Sequence, residues 1–280
     1  MAGERGGVMA HLQNLHTHCT YCDGKDTPEE MIAYALEKGF DSIGFSSHSY
    51  NPYSPAGIVT REGIAAYHKR IPELKQQYKD QIKIFFGIEY EFCCEEPMAD
   101  YDYSLGAVHY VPTADGWGSF DSDAACVRNL IQNSFGGDGM AFARTYYETV
   151  AKLPEKGKFD IIAHFDIITK NLELAPDLFD AECRAYYNYA LGAMEALRGK
   201  IDFFEVNTGA ISRGYRTTPY PAVPLLKAFR EMGFKPVITS DCHNGKFLDC
   251  RFAESAELLK AWGFREKFVL TEEGFVPEGL

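Results

Sequence analysis

Leu12-Gln13-Asn14-Leu15-His16-Thr17-His18 is a short apolar run that ends on two alternating imidazoles. The same construction recurs in Asp41–His48, Leu105–His109, Ile161–His164 and Val237–His243. Each segment reads as a β-strand with a histidine at or just past its end, and six of the eight histidines fall in this way. A histidine placed by chance would as readily stand on a helix or at the start of a strand. The pattern therefore collects imidazoles on one rim, and imidazoles on a rim bind metal.

Helix-like runs separate these strands, which is the signature of an α/β architecture with parallel strands. Thr27-Pro28-Glu29-Glu30 supplies an N-cap, a proline at the first helical position and a capping-box glutamate, and Gly39 is the stop. Lys38-Gly39-Phe40, Met232-Gly233-Phe234 and Trp262-Gly263-Phe264 predict three helices that end on a C′ glycine before the next strand. Apolar runs give seven inner strands near 12–16, 41–46, 83–89, 104–109, 159–164, 201–206 and 236–240, and a further short one near 267–270. Their C-terminal ends carry His16/His18, His48, Glu89, His109, His164, Asn207 and Asp241/His243. A closed parallel barrel opens all its strand ends onto one face, whereas an open doubly wound sheet uses mainly those beside its switch point. The pattern predicts a barrel.

A length of 280 residues fits one such domain, 1–280, with the segment Pro112–Pro154 as an elaboration of the rim. Helical patterns over 121–134 and 139–152 lie within it. Hydrophobic content of 46% and charged content of 24% are those of a soluble globular protein, and no apolar run approaches a membrane span. Met1–Ala10 reads as a polar, Gly-rich leader and not as a signal peptide. With eight cysteines, this indicates a reducing cytoplasm and free thiols. A net charge of −12 argues against nucleic acid, yet bound divalent cations would let an acidic protein hold a small phosphate.

His16 and His18 face one side of an extended backbone and can share an ion. With Asp23, His48, Glu89, His109, His164, Asp241 and His243 they make six imidazoles and three carboxylates, too many for one tetrahedral ion. Two or three divalent metals are expected. Mixed nitrogen and oxygen ligands suit zinc, manganese or iron.

The order HxH, loop Asp, His, Glu, His, His, DxH resembles the polymerase and histidinol phosphatase (PHP) family over the whole chain. Within it, Phe45-Ser46-Ser47-His48, Gly106-Ala107-Val108-His109 and Glu205-Val206-Asn207-Thr208-Gly209 followed by Arg213 are most similar to the histidinol-phosphate phosphatases. The resemblance implies a distorted TIM-like (β/α)7 barrel, a trinuclear centre and these same nine positions as ligands. Asp23 departs from the family spacing, lying closer to the HxH pair. The implied activity is hydrolysis of a small phosphate monoester, L-histidinol phosphate, in histidine biosynthesis. Nucleotides, sugar phosphates or phosphotyrosine peptides are alternative substrates.

For that chemistry a metal-bridging hydroxide is the expected nucleophile, with Glu89 bridging two metals and Asp241 or His243 as proton donor. Arg213 and Arg216, in the loop after strand six, are candidates to grip phosphate oxygens, and Asn207 either orients substrate or caps that loop. The loop Tyr50–Ser54 and the segment after His109 are candidates to recognise the rest of the ester. A non-catalytic metal-binding domain and an amide hydrolase are the competing readings; the latter lacks a strand-end lysine. Cys19 and Cys22 have CxxC spacing without a second pair, so free thiols are expected there, as for Cys93, Cys94 and Cys242. The tyrosines of 144–147 and 186–189 read as core, and His11 and His68 as exposed.

Overall fold

The computed structural model describes residues 11–54 and 59–280; the leader Met1–Ala10 lies outside the described residues. In chain order the elements are β1 Gln13–Asn14, α1 Pro28–Glu37, β2 Ser42–Phe45, α2 Arg61–Gln77, β3 Lys83–Glu91 and β4 Tyr103–Ala107. There follow β5 Tyr110–Thr113, β6 Gly116–Ser119, α3 Ala124–Ser134, α4 Gly139–Val150, β7 Ile161–Ile162, α5 Arg184–Leu197 and β8 Phe203–Asn207. The last are α6 Gly209–Ser212, α7 Val223–Glu231, β9 Lys235–Thr239, α8 Phe252–Ala261, β10 Glu266–Thr271 and β11 Gly274–Gly279.

Seven parallel strands pair in the order β1-β2-β3-β4-β7-β8-β9. The ring closes beyond the ends of β1 and β9, where Thr17 bridges Cys242. There His18 N donates to Cys242 O at 2.8 Å and Cys242 N donates to His16 O at 3.0 Å. The fold is a distorted TIM-like (β/α)7 barrel.

The local signals act as expected. Thr27 and Glu30 form a capping box with Pro28 at the first turn of α1. Gly39, Gly233 and Gly263 all have left-handed φ, from +74° to +84°. In each case the following phenylalanine N–H returns to a carbonyl five residues back: Phe40 to Ala35, Phe234 to Phe229 and Phe264 to Leu259.

Strand alternation sorts the barrel interior by depth. On β3, Phe85 joins the apolar floor, Gly87 meets the Tyr103 ring, and Glu89 and Glu91 follow on the same face. Tyr103 spans the interior, its hydroxyl donating to Leu15 O at 2.7 Å and lying 3.1 Å from Phe45 O. A Cβ on Gly44 or Gly87 would come within 2.4 Å of this tyrosine, so both positions need glycine. In β1 and β7, the two shortest strands of the ring, alternation breaks just past the paired residues: Leu15 and Ala163 belong to the interior cluster, and the next residues, His16 and His164, also face inward. Below, the β10–β11 hairpin brings Leu270, Phe268 and Phe275 against the interior.

An unanticipated β5–β6 hairpin, starting at Tyr110, runs into the segment 112–154 ahead of its two helices. The second of these helices, α4, is more than rim elaboration. Phe142, Ala143, Tyr146, Tyr147 and Val150 bury in the main outer core, where Tyr147 hydroxyl donates to Tyr186 at 2.7 Å. This helix thus serves as part of the crossover from β4 to β7. Among the described residues, no helix is long and apolar enough to cross a membrane.

Candidate metal centre

All nine candidate ligands converge at the C-terminal rim, in overlapping groups whose donor atoms lie within 4.8 Å of one another. The groups are His18, Asp23, His48 and His243; His16, Glu89 and His164; His16, His18 and Asp241; and His48, Glu89 and His109. Glu89 is the hub. Its Oε2 lies 2.8 Å from His48 Nδ1, 3.4 Å from His16 Nε2 and 3.5 Å from His18 Nε2. Its Oε1 lies 2.8 Å from His164 Nε2 and 3.5 Å from His109 Nε2.

Asp241 Oδ1 is 3.2 Å from His18 Nε2 and 3.7 Å from His16 Nε2. Asp23, despite its shorter spacing from the HxH pair, joins the cluster, with Oδ2 3.2 Å from His243 Nε2 and Oδ1 3.6 Å from both His18 Nδ1 and His48 Nε2.

Divalent cations fit these donors. Ligands about 2.0–2.1 Å from a tetrahedral ion stand about 3.3 Å apart, which is the spacing repeated here. Among the described residues, buried His16 Nε2, His18 Nε2 and Glu89 Oε2 have neighbours at short distance but none in hydrogen-bond geometry. Buried polar atoms are ordinarily satisfied, so these lone pairs point to an ion as their partner. His109 Nε2 and His164 Nε2 face each other at 3.1 Å.

The electrostatics favour positive charge. Burial opposes charging His16, yet the carboxylates of Glu205, Glu89 and Asp241 outweigh it and raise its pKa. His48 is raised in the same way, burial being overcome by Glu89 and Asp23, and His109 rises to about 9 against burial through Glu89 and Glu91. His18 is the exception: burial, then the imidazoles of His243 and His48, push it down to about 3. Burial would raise Glu89 and Asp241, but the surrounding imidazoles, and for Asp241 first Arg213, hold both well below the usual carboxylate range.

A supporting layer was not singled out from the sequence. Glu205 accepts from His16 Nδ1 at 2.9 Å, Thr239 Oγ1 at 2.7 Å, His164 N at 2.5 Å and Asn207 Nδ2 at 2.8 Å. That leaves His16 Nε2 turned to the centre. Glu91 does the same for His109, accepting from Nδ1 at 2.8 Å and from the backbone N at 3.0 Å. The available signals were a carboxylate inside the apolar run Phe203–Val206 and the alternation Glu89-Tyr90-Glu91.

Arg213 lies at the edge of the centre. Its Nη1 donates to Asp241 O at 3.0 Å and stands 2.9 Å from His243 Nδ1, and Nη2 donates to Asp241 Oδ2 at 3.0 Å. Gly209 permits the approach, since a Cβ there would stand 2.8 Å from that of Asp241. Asp241 itself holds a left-handed φ of +46°, strain of the kind stored at functional sites.

Two expected substrate contacts are placed elsewhere. Arg216 is buried over the Tyr220 ring, donates to Thr169 and Thr218, and lines a separate cavity with Leu172, Tyr187 and Leu225. Only three residues on from Arg213, it has turned away across the short loop after α6. Asn207 donates to Glu205, and its Oδ1 accepts from Gly209 N at 2.9 Å, so it braces the loop. His68 is half-buried against Tyr101, whose hydroxyl is 2.7 Å away, and His11 is half-buried beside Ser42; neither is exposed as expected. The cysteines are free; Cys22 Sγ rests 3.4 Å from His18 Nδ1.

A cavity of about 410 Å³ opens beside Asp23, His48 and His109. Its walls include Asn51 and Ser54 from one loop and Ser119, Asp121 and Ser122 from the segment after His109. Lys170 Nζ donates to Asp121 Oδ1 at 2.7 Å. Burial alone would raise Asp121, but Lys170 and His109 hold it down to about 2.

The PHP domain model matches residues 14–208. A Deinococcus radiodurans protein named "Probable histidinol-phosphatase" is 28% identical over 271 residues, spanning 92% of this chain and 96% of that protein. The histidinol-phosphatase of Bacillus subtilis is 24% identical over 249 residues, spanning 81% of this chain and 92% of that protein. A crystal structure of histidinol phosphate phosphatase from Lactococcus lactis, complexed with zinc, L-histidinol and phosphate, matches with a TM-score of 0.69 and 19% identity. It covers 95% of this chain and 99% of that one. With the family match spanning well over half of its length and the barrel to carry it, the chain belongs to the PHP domain family.

Proposed function

We propose that this protein is a metal-dependent phosphate monoester hydrolase that converts L-histidinol phosphate and water to L-histidinol and phosphate. The observation that carries the reading is the convergence of six imidazoles and three carboxylates, with buried unpartnered lone pairs, beside one arginine at the barrel rim. The relatives' names supply the substrate. Two or three zinc, manganese or iron ions are the cofactors proposed. Divalent cations held at such a site lower the pKa of water toward neutrality and offset charge on phosphoryl oxygens.

The chain's own residues do the rest. Glu89 presents its two oxygens to two different sets of imidazoles, so it fixes the spacing between them. Arg213 offers a planar fork where the equatorial oxygens of a phosphate gather charge. Of the two candidates for proton donor, His243, in contact with that arginine, suits the role, because Asp241 is held ionised, against burial, by Arg213 and the surrounding imidazoles and serves better as a ligand. Glu205 and Glu91 keep His16 and His109 in the tautomer that leaves Nε2 free.

Phosphate release from a panel of monoesters by the metal-loaded protein tests this. L-histidinol phosphate should exceed a sugar phosphate, a nucleotide and a phosphotyrosine peptide in kcat/KM by about tenfold or more. Superior turnover of another ester would remove the named substrate. Stoichiometric metal with no turnover of any ester would remove the enzyme.

A further inference from the structure

We infer that the cavity walled by Arg216, apart from the metal centre, is a second ligand site, for a small organic acid whose anionic head meets Arg216 and whose body is apolar. This goes beyond the hydrolase reading and does not depend on its substrate. Arg216 is 9% exposed, and its hydrogen bonds all go to uncharged threonines: Nη1 to Thr169 Oγ1, Nε to Thr218 O at 3.3 Å and Nη2 to Thr218 Oγ1 at 3.4 Å. Two of the five N–H donors of the fork are left over. Burial raises the Asp166 pKa and the nearby Arg216 only partly opposes this. The two side chains do not pair: Asp166 Oδ2 accepts from Ala222 N at 2.9 Å, and its Oδ1 has no hydrogen-bond partner. A guanidinium taken out of water with no carboxylate against it is costly, and an anion supplied by a ligand would offset that cost.

The cavity beside it measures about 780 Å³, within the range of small-molecule sites. Leu172, Tyr186, Tyr187, Pro224 and Leu225 give it an apolar wall. The first turns of α5 and α7 both border it, so two helix N-termini add partial positive charge to that of Arg216. At α7 the N-cap is Ala222, which has no side chain to cap the helix. Two acids also stand on the wall, and neither reaches the arginine. Glu173 is held by Thr217, through the backbone N and Oγ1, and exposed Glu182 lies two residues from exposed Arg184. None of the nine metal-centre residues lines this cavity. The Tyr220 ring, 4.5 Å from Arg216 Cζ, has its centroid 6.5 Å from that of His164, so the cavity adjoins the centre without sharing its ligands.

The test titrates 3-phenylpropionate and its uncharged amide, 3-phenylpropanamide, into the metal-loaded full chain by calorimetry. The carboxylate should bind at a single site, about tenfold or more tighter than the amide, because only the acid makes a charge-assisted contact. Arg216→Gln should bring that ratio toward one. Leu172→Glu, which sets a like charge in the wall and leaves the arginine in place, should do the same. Arg213→Ala, at the metal centre, should leave the ratio as it is. Thermal unfolding is followed for each variant, and if Arg216→Gln does not fold, Leu172→Glu decides. Absence of saturable binding, equal binding of acid and amide by the unaltered protein, or a preference that survives both wall substitutions overturns the site. A preference lost in Arg213→Ala and kept in Arg216→Gln also overturns it, since the acid would then sit at the metals.

Discussion

The two ends of the barrel are built by the same strands to opposite purposes. At the floor, Phe85, Leu105, Ile161 and Val237 meet the hairpin residues Phe268, Leu270 and Phe275, and Phe275 stacks on Phe203 with ring centroids 4.2 Å apart. At the rim, the same faces of the strands carry Glu89, Glu205 and Asp241, buried among imidazoles. One end removes apolar surface from water, which stabilises; the other keeps charged groups out of water, which costs stability unless partners offset it. Chemistry and stability are thus separated along the barrel axis, and substitutions at the two ends should fail differently.

The largest effect is expected at the hub. Glu89→Gln removes the charge shared by both sets of imidazoles, and kcat/KM should fall by about three orders of magnitude or more, with loss of bound metal read by elemental analysis. Retained metal and turnover would deny Glu89 its place at the centre. Arg213→Ala should lower kcat/KM by about a hundredfold with metal content unchanged, as for loss of one charge-stabilising donor group.

At the floor, Gln13 joins β1 to β10: its amide donates to Ser42 Oγ and Leu270 O, and Leu270 N donates to its Oε1 at 2.8 Å. Gln13→Ala should cost about 1–3 kcal/mol in denaturant unfolding, because Leu270 loses its partners, while turnover per folded molecule stays the same. Lost turnover at full stability would break the separation of the two ends. The smallest effect overall belongs to Arg216→Ala, which lies off the centre: kcat/KM should stay within about threefold, and the loss should appear as about 1–2 kcal/mol of stability. A hundredfold loss of activity would return Arg216 to the phosphate site.

The rim is legible in the sequence because strand periodicity is short and its ends are marked by unusual residues. His16 with His18 and Asp241 with His243 alternate within runs that a reader can locate, and Gly39, Gly233 and Gly263 mark the preceding helix ends. What surrounds the rim is less legible. Glu205 and Glu91 act through histidines of other strands: Glu91 and Glu205 reach His109 and His164 from neighbouring strands, and Glu205 meets His16 only because the ring closes. The turn that sends Arg213 toward Asp241 and Arg216 toward Tyr220 depends on local backbone direction, which composition does not reveal. The β5–β6 hairpin carries the turn signal Asp115-Gly116, but its strands are short and partly polar, with Pro112 in the first, so the alternation that would mark a hairpin is weak.

The seam of the barrel joins Thr17 to Cys242, and the backbone bonds that seal it belong to His16, His18 and Cys242. Sealing the cylinder and completing the cation pocket are therefore one event, made by stretches more than two hundred residues apart. A nascent polypeptide that has not yet emerged past His243 cannot gather the full donor set, so complete metallation has to wait for that stretch.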